Sequence, residues 1–290
     1  MKKLTLLLAA VTIASAAYAK EVMPVAEVAA APMLTVTSIG QYIEIDNYSE
    51  NSNSDGDVGH VMLGNTVNFA YGDDWTFGIM ARKGWDTDTD DGFGETSSRI
   101  DLYGMKAYEN YNLGFKWRQE QSKDEYMLRG NYSYGMFSGW GDLQYGALEG
   151  NSDRIEFEGV VAAVKYKTVK LGYYLNYYDY DIVGRANNDG EKSETRHQVR
   201  VSAPIYSGDR LDLGLEYRYQ FAHDFDMANN LSYQENNRHI VILSADYAVN
   251  DNLSLSGYYE YDFNKYDGHG TTDADDDFYG EFCMGWTYKF

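Results

Sequence analysis

Apolar and polar side chains alternate with a period of two through most of this chain, and this pattern constrains its fold more than any other feature. The clearest case is "RLDLGLEYRYQF" at 210–221. Leucine, tyrosine and phenylalanine fill one set of alternate positions, and charged residues dominate the other. Since successive side chains of a β-strand point to opposite sides, the segment predicts a strand with one apolar and one charged face. The segments "WTFGIMAR" at 75–82 and "YNLGFKWR" at 111–118 repeat the pattern.

Segments of this kind recur along the chain and are joined alternately by tight Gly, Asn and Asp turns and by long acidic loops. An even number of strands places both ends of the chain on the side of the short turns. The sequence therefore predicts an all-β fold, a transmembrane antiparallel up-and-down β-barrel of about 14 strands (range roughly 12–16) over residues 34–290. The expected strands lie near 34–45, 60–71, 75–85, 97–108, 111–118, 125–136, 140–148, 155–166, 169–180, 194–206, 210–221, 238–247, 253–263 and 278–290.

Two of these strands leave their orientation open. In 97–108 either the face of Leu102 or the face of Tyr103 turns inward, because both faces carry apolar residues. In 155–166 the apolar positions change parity after Glu158. A β-bulge in each strand would reconcile the pattern with a single inward face.

A soluble all-β protein made of short hairpins is the alternative fold. It leaves unexplained an export signal, the asymmetry of the connections and the fully apolar alternate face. Tryptophans near strand ends also match the aromatic girdles of membrane barrels. They are Trp75, Trp85, Trp117, Trp140 and Trp286.

The start of the chain is typical of an exported protein. Two lysines precede an apolar run from Leu4 to about Ala16, and a small-x-small cleavage motif ends at Ala19. This pattern predicts a signal peptide over 1–19, cleaved on export through the inner membrane. The Pro-interrupted stretch over 20–33 is then an N-terminal periplasmic extension ahead of the barrel.

Charge and cysteine content exclude several classes of function. A formal net charge of -21 argues against a nucleic-acid partner, because phosphates would be repelled. The single cysteine, Cys283, permits neither an intrachain disulfide nor a cysteine metal site. The acidic run "DADDD" at 273–277 lacks the glycine and glutamate spacing of an EF-hand loop. We therefore expect no cofactor and no metal.

The last residues carry a large apolar side chain at every second position down to the C-terminus, namely Phe282, Met284, Trp286, Tyr288 and Phe290. This resembles the C-terminal signature of bacterial outer-membrane barrels, which the barrel assembly machinery reads. The segment "AKEVMP" at 19–24 and the body rich in Tyr and Gly resemble the fusobacterial major outer-membrane porin family. That resemblance implies a voltage-sensitive, rather non-selective water-filled pore, and family members also act as adhesins.

The parity of the clear strands gives candidate residues for the lining of such a pore. The basic candidates are Arg82, Lys116, Arg118, Arg129, Arg196, Arg200 and Arg218, and the acidic candidates are Glu44, Asp246, Glu260, Asp262 and Glu281. We expect one basic wall and one acidic arc, with a transverse field that sets ion preference and a constriction at the basic cluster of the third to sixth strands. The alternative is that these charges pair across strands.

The predicted function is an outer-membrane porin for passive diffusion of ions and small hydrophilic solutes, as a monomer or a trimer. Its other partners would be outer-membrane lipid and lipopolysaccharide. One alternative is an oligosaccharide-selective porin, in which Tyr174, Tyr178, Tyr258 and Tyr279 stack on sugar rings; another is an adhesin or structural barrel. An enzyme is not predicted, since no catalytic motif surrounds the histidines, including His223 and His239.

Overall fold

The computed structural model describes residues 33–48, 60–87, 94–149, 153–180, 190–267 and 277–290. The predicted signal peptide and nearly all of the predicted extension lie outside the described residues, as do parts of the long loops. Among the residues that are described, no helix has the length and apolar character needed to cross a membrane.

The described chain consists of strands joined by turns. The strands are β1 (Leu34–Tyr48), β2 (His60–Tyr71), β3 (Trp75–Asp86), β4 (Gly94–Ala107), β5 (Tyr111–Glu120), β6 (Lys123–Tyr134), β7 (Phe137–Leu148), β8 (Arg154–Tyr166), β9 (Val169–Asp179), β10 (Glu191–Ser207), β11 (Leu211–Met227), β12 (Ser232–Gln234), β13 (Asn236–Ala248), β14 (Leu253–Asp267) and β15 (Asp277–Lys289).

All of these strands except β12 form one closed antiparallel barrel. Each barrel strand pairs with the next along the chain, and β15 pairs with β1 to close the ring. The seam runs from the pair Ser38 and Lys289 to the pair Tyr48 and Tyr279. The three-residue strand β12 pairs only with the end of β11, within the β11–β13 connection. The prediction of an antiparallel barrel of about 14 strands is therefore confirmed.

Tight turns join strands at one end of the barrel, and all but one lie where the sequence predicted them. The turn between β6 and β7 was expected at 137–139 and lies at 135–136 instead. The tight turns occupy 72–74, 108–110, 135–136, 167–168, 208–210 and 249–252. Gly72 and Gly135 have φ of 62° and 59°, a left-handed conformation that glycine adopts without steric cost. The connections at the opposite end are the longer ones, apart from short links such as 121–122.

The two faces of the barrel wall differ sharply in polarity. Large apolar side chains such as Phe115 and Leu128 are 51% and 60% exposed on the outer face. At alternate positions, Asp101 and Glu125 are 3% and 1% exposed on the inner face. This is the reverse of a soluble protein, in which the buried side is apolar. The inner charges are packed among one another, and the apolar groups form the exterior.

The orientation of the two ambiguous strands is now defined. In β4 Leu102 is exposed on the outer face, and Tyr103 lies inside with its hydroxyl bonded to Asn68. The pairing of β4 with β5 is regular throughout, so no bulge is needed within 97–108. In β8 Val161 is an extra residue between Val160 and Ala162, and the bulge expected there is confirmed.

Trp140 does not belong to an outer aromatic girdle, and that interpretation was wrong. Its position in β7 has the parity of Asp142, and it packs against the small inner cluster of Val160, Ala163 and Tyr174. A place near a strand end does not decide which face a residue occupies, whereas its parity with a charged neighbour does. Trp286, by contrast, is 36% exposed on the apolar exterior.

Gly159 marks a close approach of two strands and gives a test of the fold. A Cβ there would lie 2.2 Å from the carbonyl oxygen of Trp140 and 2.7 Å from the Cα of Gly141. Since backbone atoms cannot move aside cheaply, we expect Gly159→Ala to lower the free energy of unfolding by about 1–3 kcal/mol. Urea unfolding in lipid vesicles, followed by tryptophan fluorescence, measures this change.

Gly130→Ala is the matched control, because the nearest atom to its added Cβ is a side-chain carbon of Leu113 at 3.3 Å. Equal destabilisation by both substitutions would show that loss of glycine, rather than contact between β7 and β8, causes the effect.

Candidate channel lining

An ion cluster centred on Asp101 occupies the inner wall at β4 and β5. Arg99 donates two hydrogen bonds to its carboxylate, from Nε at 2.9 Å and from Nη2 at 2.7 Å. Lys116 Nζ lies 2.7 Å and Arg118 Nε 3.2 Å from the same carboxylate. One nearly buried anion therefore binds three cations, two of which are predicted lining residues.

A second cluster surrounds Glu125 on β6. Its carboxylate lies 3.1 Å from each of Arg118 Nη1, Lys123 Nζ and Arg154 Nη2. Arg118 thus contacts both Asp101 and Glu125, and it links the two clusters. Together they form a continuous line of ion pairs from β4 to β8.

The remaining predicted basic residues of this wall differ in how firmly they are held. Arg129 makes a bidentate pair with Asp142, with Nε and Nη2 donating at 2.9 and 2.7 Å. Arg82 lies 3.7 Å from Glu44 and 3.9 Å from Glu120, distances too long for strong hydrogen bonds. Arg82 is therefore the most loosely bound cation of the three predicted constriction arginines.

The other predicted basic residues lie on β10 and β11. Arg196 pairs with Glu194, and its Nε lies 3.0 Å from a ring nitrogen of His223. The guanidinium of Arg200 lies 3.6 Å from the ring centre of Tyr174.

Arg218 on β11 contacts two carboxylates. It pairs with Glu216 on its own strand and with Glu260 on β14, at 3.5 Å from Nη1. All three of the predicted basic residues on β10 and β11 therefore contact other side chains of the inner wall.

Of the five predicted acidic residues, Glu44 and Glu260 contact Arg82 and Arg218 as described above. The other three have different environments. Asp262 accepts a hydrogen bond from Arg238 Nε at 2.6 Å. Glu281 accepts one from the Tyr279 hydroxyl at 3.1 Å and another from Tyr258. Asp246 lines an interior cavity of about 840 Å³ near the short turns.

These contacts differ from the expected division into a basic wall and an acidic arc. The basic side is interleaved with carboxylates absent from the predicted lining, so its charge is largely balanced in place. They are Asp101, Glu120, Glu125, Asp142, Glu156 and Glu194. The prediction missed Asp101 because the orientation of its strand was open. Asp142 could have been predicted as a lining residue from the strand register, because it lies directly opposite Arg129.

The clusters lie along the wall of the barrel. Each ion pair and hydrogen bond described above joins residues on one strand or on strands at most two positions apart around the ring. The two clusters border an interior cavity of about 410 Å³. The side chain of Arg129, although paired, remains 33% exposed towards the interior. These contacts leave the interior polar and accessible.

The two histidines considered for catalysis lie on opposite faces. His223 is 5% exposed on the inner face, and its Nε2 lies 2.8 Å from Glu194. His239 lies among outer-face aromatic rings, with ring centres 5.1 Å from Tyr219 and 5.0 Å from Phe263. The structure therefore does not bring His223 and His239 together.

The C-terminal signature residues occupy the closing strand and the residue after it. Four of them, Phe282, Met284, Trp286 and Tyr288, are exposed on the outer face. The backbone N–H of Phe290 donates to the carbonyl of Thr37 at 3.1 Å, which fastens the terminus to β1. Recognition of this segment by assembly machinery stays a prediction.

Comparison with known proteins gives a fold and no family. No family model and no curated protein matches the chain. A bacterial polysaccharide outer membrane secretin is 12% identical, with a TM-score of 0.50 and coverage of 87% of this chain and 98% of that chain. An anion-selective porin from Comamonas acidovorans is 14% identical, with a TM-score of 0.45 and coverage of 89% and 100%. OmpT, an outer membrane protein of Vibrio cholerae, is 10% identical, with a TM-score of 0.44 and coverage of 91% and 100%.

Such identities show the fold alone. The molecule is similar to solved barrels of bacterial outer membranes in its closed antiparallel architecture. The resemblance to the fusobacterial porin family stays a prediction, since no sequence comparison supports it.

Proposed function

We propose that this protein is an outer-membrane porin, a water-filled channel for passive diffusion of ions and small hydrophilic solutes. The observation that carries the proposal is the reversed polarity of the wall, with ionised groups inside and large apolar groups outside. An apolar exterior that encircles a closed barrel fits lipid, where unpaired strand edges are not tolerated. The predicted signal peptide would provide export to that membrane.

An open interior is supported by the width of the barrel and by the direction of its side-chain contacts. Barrels of about eight strands are just filled by their own side chains, and the diameter grows with strand number. Here the inner side chains bind their neighbours along the wall. Ionised groups such as Arg129 and Arg218, with side chains 33% and 25% exposed, need water around them.

The arrangement of the inner tyrosines favours a general channel over an oligosaccharide-selective one. Arg200 covers the ring of Tyr174 at 3.6 Å, and Arg154 covers that of Tyr178 at 4.7 Å. The hydroxyl of Tyr258 donates a hydrogen bond to Glu281. Two of the four candidate rings therefore already carry a guanidinium group on one face, where a sugar would stack.

We expect the purified protein to produce discrete conductance steps when it inserts into a planar lipid bilayer. Solute flux into liposomes should fall smoothly with the size of graded neutral sugars, because two of the four candidate rings already carry a guanidinium group on one face. Heat-denatured protein at the same concentration is the control. The conductance steps test the channel, and the flux series tests its breadth.

A folded barrel that gives neither conductance nor solute flux would overturn the porin proposal in favour of an adhesive or structural role. Saturation of the flux by one oligosaccharide would instead show a selective channel.

A further inference from the structure

Three carboxylates meet on the inner wall where the barrel closes. Glu44 and Asp46 belong to β1, and Glu281 belongs to β15. Asp46 and Glu281 are direct cross-strand partners in the seam. One oxygen from each of the three carboxylates lies within 4.8 Å of the others.

The charges near these carboxylates do not balance them. Like charges placed directly opposite one another destabilise a strand pair. Arg82 lies 3.7 Å from Glu44, but it also lies 3.9 Å from Glu120 and is shared between them. On its other side Glu281 faces another carboxylate, Glu260. The seam therefore concentrates negative charge in a way that the wall at β4 to β8 does not.

Asp46 provides an independent sign that a ligand is needed. The residue is 8% exposed, and its Oδ1 atom is buried without a hydrogen-bond partner among the described residues. Tyr279 hydrogen-bonds to the Asp46 carboxylate, but Oδ1 itself has no partner in the described part of the chain, whereas Glu281 accepts hydrogen bonds from two tyrosine hydroxyls. A buried carboxylate oxygen without a donor or a cation carries an uncompensated desolvation cost. Because Asp46 lies beside two further carboxylates, a cation satisfies this oxygen better than a neutral donor does.

We infer that Glu44, Asp46 and Glu281 bind a hard divalent cation, with Ca²⁺ preferred to Mg²⁺. Carboxylate oxygens are the ligands that both ions take, and water in the interior completes the coordination. Mg²⁺ keeps several of its waters and is usually held by only one or two carboxylates, whereas Ca²⁺ takes more oxygen ligands in a flexible geometry. A site with three carboxylates therefore suits Ca²⁺ better.

Such an ion would join the first barrel strand to the last one. Its ligands come from opposite ends of the chain, so no local sequence motif announces the site, and the sequence predicted no metal. Binding would offset the repulsion between Asp46 and Glu281 and stabilise the closed seam. This inference does not depend on conduction, since a closed barrel that conducts nothing would still carry the site.

The test is a titration of CaCl₂ into the purified protein in detergent micelles, after removal of lipopolysaccharide and treatment with EDTA followed by dialysis. We expect saturable calorimetric binding that Asp46→Asn weakens by at least about tenfold, because the number of ligand charges sets the affinity of such sites. Saturating CaCl₂ should also raise the unfolding midpoint of the unsubstituted protein by about 2–4 °C. MgCl₂ should bind more weakly.

Asp212→Asn is the matched control, because it removes one exposed carboxylate from β11, away from the seam. It should keep the affinity of the unsubstituted protein. Glu281→Gln is a second variant, which decides the question if Asp46→Asn does not give a heat-modifiable barrel. The inference is overturned if the unsubstituted protein shows no saturable site, or if folded Asp46→Asn or Glu281→Gln binds Ca²⁺ as tightly as the control.

Discussion

Asp101→Asn should be among the most destabilising single substitutions in the barrel wall, with an expected loss of about 3–5 kcal/mol in the free energy of unfolding. Asp101 is 3% exposed, and Arg99, Lys116 and Arg118 all converge on it. A neutral amide of the same shape leaves three neighbouring cations without their shared anion. Urea unfolding in lipid vesicles, followed by tryptophan fluorescence, measures the loss.

Two further asparagine variants give this prediction a graded control. Asp142→Asn removes the partner of Arg129 alone, so its effect should be smaller. Asp212→Asn removes an exposed carboxylate and should change stability little. If the free energy of unfolding falls equally in all three variants, the three cations around Asp101 stabilise the protein no more than a single ion pair does. The ion clusters would then be ordinary solvated pairs.

The period of two in the sequence was sufficient to predict the barrel strands. Errors at strand ends arose where the alternation of apolar and polar residues becomes irregular. The sequence placed β2 at 60–71, and the structure has His60–Tyr71. Tight turns and apolar alternation fix both ends of such a strand. β11 was expected to end at 221 but extends to Met227, where the sequence "AHDFDM" loses its regular alternation. The strand β12 has only three residues, too few to show a period.

The sequence could assign residues to faces but could not identify their partners. Parity indicated that Arg129 and Arg118 face inward. Partners depend on the register between neighbouring strands, which places Asp142 opposite Arg129 and Asp101 opposite Arg118. A shift of one residue in that register would change every such pair. The expectation of a basic wall opposite an acidic arc arose because the faces were known and the pairs were not.

Because the lining charges are paired, substitution of a basic residue should change ion selectivity through the carboxylate that it leaves behind. In a balanced wall, each arginine that is neutralised leaves a carboxylate unmatched. Arg129→Gln leaves Asp142 without its cation, and Arg82→Gln leaves Glu44 without its nearest cation. Glu120 keeps Lys123 at 3.0 Å. The wall then changes from nearly neutral to acidic. A unit charge in water acts on an ion 4–10 Å away with about 0.4–1 kcal/mol, roughly a two- to fivefold effect on its local concentration.

Replacement of Arg82, Arg118 and Arg129 together by glutamine should therefore raise the K⁺ to Cl⁻ permeability ratio by at least about tenfold in dilute salt. The reversal potential of a bilayer under a KCl gradient measures the ratio. The effect should shrink in 1 M KCl, where the screening length is about 3 Å. The lysine variant at the same three positions keeps the charge and should leave the ratio nearly unchanged. An unchanged ratio in the glutamine variant would contradict the prediction, because ions that pass these side chains must respond to three lost charges.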